Sequence, residues 1–125
     1  MRIFKTRWFH KWAISEKLDD EALLRAVEEI GNGLIDASLG GHVFKKRIGL
    51  HGQGKRGGVR TLVAFKTTDR IFFIYGFPKN QRADIKVDEL KALKSYAREL
   101  LGYSDSAVSK AIEAKILFEV IKDGS

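Results

Sequence analysis

At Val43 the spacing of apolar residues changes, from the helical 3.6-residue period to the short β-branched and aromatic runs of strands, and it returns to the helical period only after Phe77-Pro78. A chain that reads helix, then strands, then helix has few compact solutions. It must lay its helices on a sheet built mainly from the middle third. Before the change, Thr6 is placed to cap a short helix through Lys17, with Phe9, Trp12 and Ala13 on one face. Asp19 or Asp20 opens a second, Glu21 to Ile30, with Leu23, Val27 and Ile30 as its stripe and Gly31 and Gly33 as stop signals. The stretch Asp36 to Gly41 fits a helical turn or a loop equally well.

After the change, Val43–Ile48 reads as a strand with a basic edge. Residues Gly49–Gly58 hold five glycines and read as a loop. Val59–Lys66 and Arg70–Phe77 read as two strands, joined by a tight hairpin at Thr67-Thr68-Asp69. In the first, Val59, Thr61, Val63 and Phe65 share one face and Arg60, Leu62, Ala64 and Lys66 the other; both are largely apolar in mid-strand, as in the centre of a covered sheet. Pro78 ends the run. Asp88 is then expected to cap a helix Glu89–Leu101 that stops at Gly102, Ser104 or Asp105 to cap another to about Ala114, and Ile116–Ile121 to form an edge strand. The pattern predicts an α+β fold, an antiparallel sheet with N-terminal helices and a C-terminal helix packed on it. With 125 residues, the whole of 1–125 is expected to be a single domain.

The composition narrows the chemistry. Cysteine is absent, which removes disulfides, thiolate metal sites and cysteine nucleophiles and points to a reducing, cytoplasmic setting. No signal peptide or membrane helix is expected, because charge interrupts every apolar run. His10, His42 and His51 show no ligand spacing, so neither a metal nor a cofactor is predicted, and no G-x-S-x-G supports Ser/His/Asp catalysis. The net charge is +7, and residues 42–82 carry ten Lys and Arg against one acid. An anionic partner follows from that concentration. The cations fall at strand ends and in loops: Lys45, Lys46 and Arg47, then Lys55, Arg56 and Arg60, then Lys79 and Arg82. A meander can bring such points to one sheet face. Arg60, flanked on its face by Leu62 and Ala64, is expected to be partly enclosed, where it either grips a phosphate bidentately or pairs with a carboxylate at the edge of the core. Tyr75 and Phe77 share a face, and with Trp8 and Trp12 they suit base stacking, although core packing accounts for most such aromatics. His51, among cations, is a candidate base.

The segments Gly54-Lys55-Arg56-Gly57-Gly58-Val59-Arg60-Thr61-Leu62-Val63-Ala64-Phe65 and Phe72-Phe73-Ile74-Tyr75-Gly76-Phe77-Pro78-Lys79-Asn80-Gln81-Arg82-Ala83-Asp84-Ile85 resemble the RelE/ParE toxin superfamily, most of all its RelE-like, HigB-related branch. The likeness extends back to Leu39 and on to Leu93. It implies a RelE-like α+β toxin of a bacterial type II toxin–antitoxin pair. Such a toxin cuts mRNA on the ribosome without a metal and is held in check by an antitoxin protein, of the helix-turn-helix, HigA-like kind. By that resemblance Arg60 matches the arginine that contacts the scissile phosphate, Lys55 and Arg56 match the basic loop, and Lys79 and Arg82 fall in the basic stretch after the strand. Some relatives carry an arginine where this chain has Asn80 and a catalytic tyrosine near its Ile85-Lys86, which leaves Tyr75 or His51 as substitutes. Lys45 or Lys46 is a further candidate base, and Lys45, Lys46, Arg47 and His51 are the expected RNA-binding residues. A gyrase inhibitor of the ParE kind and a non-enzymatic RNA-binding module are the alternatives.

Overall fold

In the computed structural model, residues 1–50, 54–67, 69–78 and 84–121 are described, with backbone alone at 54–57. The chain runs β1 (Arg2–Thr6), α1 (Arg7–Ser15), α2 (Asp20–Gly31), β2 (Ala37–Gly40), β3 (Val43–Leu50), β4 (Gly54–Ala64), β5 (Arg70–Pro78), α3 (Val87–Leu101), α4 (Asp105–Glu113) and β6 (Leu117–Val120). Caps set the helix starts. Thr6 Oγ1 accepts from Phe9 N at 3.2 Å, Asp19 Oδ1 from Ala22 N at 2.9 Å, and Ser104 Oγ from Ala107 N at 3.0 Å. Among the described residues no helix is long and apolar enough to cross a membrane.

The strands form one sheet in the order β2-β3-β4-β5-β1-β6. All pairings are antiparallel except β1 with β5, which runs parallel with Ile3 beside Ile71 and Phe4 beside Phe72. Helices cover both faces. On one, Leu23, Ala26, Val27 and Ile30 of α2 and Phe9 and Ala13 of α1 pack on Ile48, Val59, Val63, Ile71 and Phe73. On the other, Ala97 and Leu100 of α3 and Val108 and Ala111 of α4 pack on Phe4, Val43, Leu62, Ala64, Phe72 and Ile74. Each wholly buried Val, Leu, Ile or Phe among them contributes about 1.5–3 kcal/mol. The architecture is an α+β fold, as the sequence pattern predicts.

Several local expectations are corrected. The helices do not come first: β1 precedes them and fills the space between β5 and the edge strand β6. Its alternation is hidden because Lys5, at a core-facing position, is 7% exposed and paired to Asp20 at 2.8 Å. The open stretch Asp36–Gly41 contains the edge strand β2. The glycine-rich stretch is not all loop, since β3 runs to Leu50 and β4 starts at Gly54. A register shift lies between Ile48 and Leu50, and a Cβ at Gly58 would sit 2.0 Å from the Ile48 carbonyl oxygen, so glycine there permits the close approach of the two strands. Residue Lys86, rather than Asp88, is the N-cap of α3, with Glu89 Oε1 accepting from Lys86 N at 3.3 Å. Thr68 of the expected hairpin turn lies outside the described residues.

Candidate functional site

Cross-strand register decides which cations meet. Side chains of directly paired residues point to the same face, so Arg47 opposite Arg60 and Arg60 opposite Phe77 bring all three together, with Lys45 and Tyr75 each paired to Leu62. This is the face that α3 and α4 cover over Leu62 and Ala64. On β5 the assignment depends on one irregularity. Val63 pairs with Phe73 but Leu62 with Tyr75, leaving Ile74 as an extra residue. Phe73 packs toward α1 and α2, so strict alternation would send Tyr75 and Phe77 there as well. The bulge turns both onto the Arg60 face, while Gly76 takes the opposite one against the Trp12 ring.

Arg60 is only 9% exposed, and its Nη1 is buried without a hydrogen-bond partner. The Nε of Arg47 is likewise buried without a hydrogen bond, although it lies 3.9 Å from Asp36 Oδ1. Lys45 Nζ donates to Asp84 Oδ1 at 3.4 Å. The backbone N–H of Ile85, then Lys45 and Arg60, hold the Asp84 carboxyl below the usual carboxylate range, so it stays charged beside these cations. Lys46 is not brought to this face. It points toward α2, is 2% exposed, and its Nζ lies 2.6 Å from Glu29 Oε1.

Tyr75 donates its hydroxyl to Glu89 Oε2 at 3.1 Å and stacks on Trp8 with 4.5 Å between ring centroids. Trp8 in turn lies 6.0 Å from Trp12, and Tyr75 lies 6.5 Å from Phe77. Trp8, Trp12, Tyr75, Gly76, Phe77, Pro78 and Glu89 line an open cleft of about 440 Å³. Of the sequence-predicted site residues, the structure therefore gathers Arg60, Arg47, Lys45 and Tyr75. The side chains of Lys55 and Arg56, and residues His51, Lys79 and Arg82, lie outside what is described. The carboxylates Asp84 and Glu89 were missed. Neither stands out in the sequence, because their relevance comes only from the fold, which sets Asp84 beside Lys45 and Glu89, in the first turn of α3, beside Tyr75. Among the described residues no three His, Asp or Glu side chains gather as a metal-ligand set.

Chemically, the face offers a guanidinium with a free donor for an oxyanion, a second guanidinium across the strand, an amine, and a phenol whose hydroxyl a carboxylate orients. That set can hold a phosphodiester and exchange protons with it. No curated protein matches the chain. A family model described as the RelE toxin of the RelE/RelB toxin–antitoxin system matches residues 1–120. That match spans nearly the whole fold, the six-stranded sheet and its covering helices included, and so the chain belongs to the RelE toxin family of toxin–antitoxin systems.

Proposed function

We propose that this toxin is a metal-independent, ribosome-dependent endoribonuclease that cuts mRNA in the cytoplasm, and that a helix-turn-helix antitoxin of the HigA-like kind neutralises it. The observation that carries the reading is Arg60. A guanidinium withdrawn from water is costly unless an anion completes its hydrogen bonds. Here one Nη is buried and unmatched, with the Asp84 carboxylate near enough to feel the Arg60 charge but not hydrogen-bonded to that nitrogen. A phosphodiester supplies what is missing, with the paired oxygens that suit a guanidinium fork.

The RNA provides its own nucleophile. The 2′-oxygen bonds to phosphorus as its proton passes to a base, the bond from phosphorus to the 5′-oxygen breaks, and an acid protonates that oxygen. The products are a 2′,3′-cyclic phosphate and a 5′-hydroxyl. Arg60 holds the phosphate and stabilises the negative charge that gathers on it in the transition state. Tyr75, oriented by Glu89, gives its proton to the leaving oxygen, and His51, which enters from the sequence alone, takes the 2′-proton, because Lys45 is engaged as a cation with Asp84. Lys55, Arg56, Lys79 and Arg82 enter this reading through the sequence and the family resemblance alone. Primer extension on cellular mRNA after induction tests it. New 5′ ends inside translated frames, lost when translation of that message is blocked, are expected. Growth arrest with intact mRNA and damaged DNA would instead favour gyrase inhibition.

A further inference from the structure

We infer that the cleft lined by Trp8, Tyr75 and Phe77 receives an unstacked nucleobase of the RNA strand whose phosphate Arg60 holds. This rests on the reading of Arg60 as the phosphate ligand and adds the residues that seat the neighbouring nucleotide.

Position is the first argument. Phe77 is the direct cross-strand partner of Arg60, and Tyr75 is its diagonal neighbour, which in an antiparallel pair means about 7–8 Å. Phe77 itself is 3% exposed, so the aromatic surface within one nucleotide's reach of a group held by Arg60 is that of Tyr75 and of Trp8 stacked on it. Rigidity is the second. Trp8 is 46% exposed, yet it is held by Tyr75 on one side and Trp12 on the helical turn beyond, and Trp12 lies so close to β5 that a Cβ on Gly76 would come within 2.3 Å of its ring. Such an exposed, preorganised aromatic side chain loses little conformational entropy when a ring packs on it. Charge is the third. Among the described residues Glu89 is the charged side chain lining the cleft, and a carboxylate there disfavours phosphate more than an uncharged base. The cations stand one residue row away, on Arg60 and Arg47, where the backbone of the same strand would run. Aromatic cleft and cationic row together match a single-stranded nucleic acid, base in one and phosphate on the other.

A double-mutant cycle between protein and RNA tests this. The probe is a pentaribonucleotide with a central 2′-deoxy residue to prevent cutting, compared with versions made abasic on either side of the central linkage. With the parent protein, one abasic position is expected to weaken binding about tenfold, the scale of one stacked base. Trp8→Ala should weaken the intact RNA by a similar factor and the matching abasic RNA hardly further; Trp8→Phe should behave nearly as the parent. Replacing the same base with 2-aminopurine should give fluorescence that falls on binding the parent protein, a readout that needs no folded variant. Equal binding of all three RNAs, fluorescence unchanged at both positions, or losses that simply add would overturn the assignment, and a cleft reserved for a protein segment would give that result. If coupling is found but ribosomal mRNA is never cut, the nuclease reading falls while the base site stands.

Discussion

Two buried cations on neighbouring strands meet opposite circumstances. Lys46 ends on Glu29 at 2.6 Å, whereas Arg60 ends with an unmatched Nη1. Removing them should therefore have different consequences. Arg60→Ala is expected to lower the rate of RNA cutting by about 100-fold or more, the scale for losing one preorganised charge stabiliser. The melting temperature should change little, since the buried Nη1 makes no hydrogen bond that the substitution would break. Arg60→Lys should recover only part of the rate, because a point charge does not reproduce the fork. Lys46→Ala should do the reverse, lowering stability by about 2–4 kcal/mol through a lost ion pair and a cavity while leaving the rate per folded molecule unchanged. Rates paired with thermal melts distinguish the two. In the sequence both read as cations that could meet RNA, and only the apolar neighbours of Arg60 on its strand face set it apart. Nothing in a lysine codon says whether a carboxylate waits fifteen or more positions away, and Lys5, whose partner is Asp20, hid β1 for the same reason.

At the scale of elements, the capped helices and the three long strands were legible because each depends on neighbours in sequence: Thr6 before Phe9, Asp19 before Ala22, period two from Val43 onward. What depended on pairing was not. The glycines at 54 and 58 belong to β4 because β3 is there to pair with, and Tyr75 faces Arg60 because the sheet admits one extra residue at Ile74. The strand β1 is likewise held from both sides, and its tie to β6 carries a pH dependence. Arg2 donates to both oxygens of Glu119 at 2.9 Å, which holds the Glu119 carboxyl below its ordinary range. A carboxyl depressed in the folded state binds its proton more readily when unfolded, so its stabilisation is complete above about pH 4.3 and is lost as pH falls through the lower folded value. Glu119→Gln should thus flatten the acid limb of stability, read by denaturant melts from pH 7 down to pH 3. An acid limb as steep as the parent's would mean that the Arg2 pair does not contribute to it.

Over the whole molecule the charge is divided as the fold requires. Residues 18–41 hold six acids and one cation and include α2, whose Glu29 reaches Lys46 of β3 from the side away from Arg60, while Asp36 lies beside Arg47. Residues 42–82 bring ten cations to the sheet strands and their connections. If roughly five of them meet phosphate, binding of single-stranded RNA should weaken with salt at a log–log slope near −3.5, at about −0.7 per contact. A titration across salt concentrations reads that slope directly, and a value near zero would contradict a phosphate-binding face. The central claim, however, is that this face lets the RNA attack itself. Its most direct test is the chemistry of the cut end, taken from messenger cleaved on programmed ribosomes by the purified toxin. The account predicts a 2′,3′-cyclic phosphate upstream and a 5′-hydroxyl downstream, with cutting abolished by a single 2′-deoxy substitution at that nucleotide. A 5′-phosphate end that survives the deoxy substitution would mean attack by water and would contradict it.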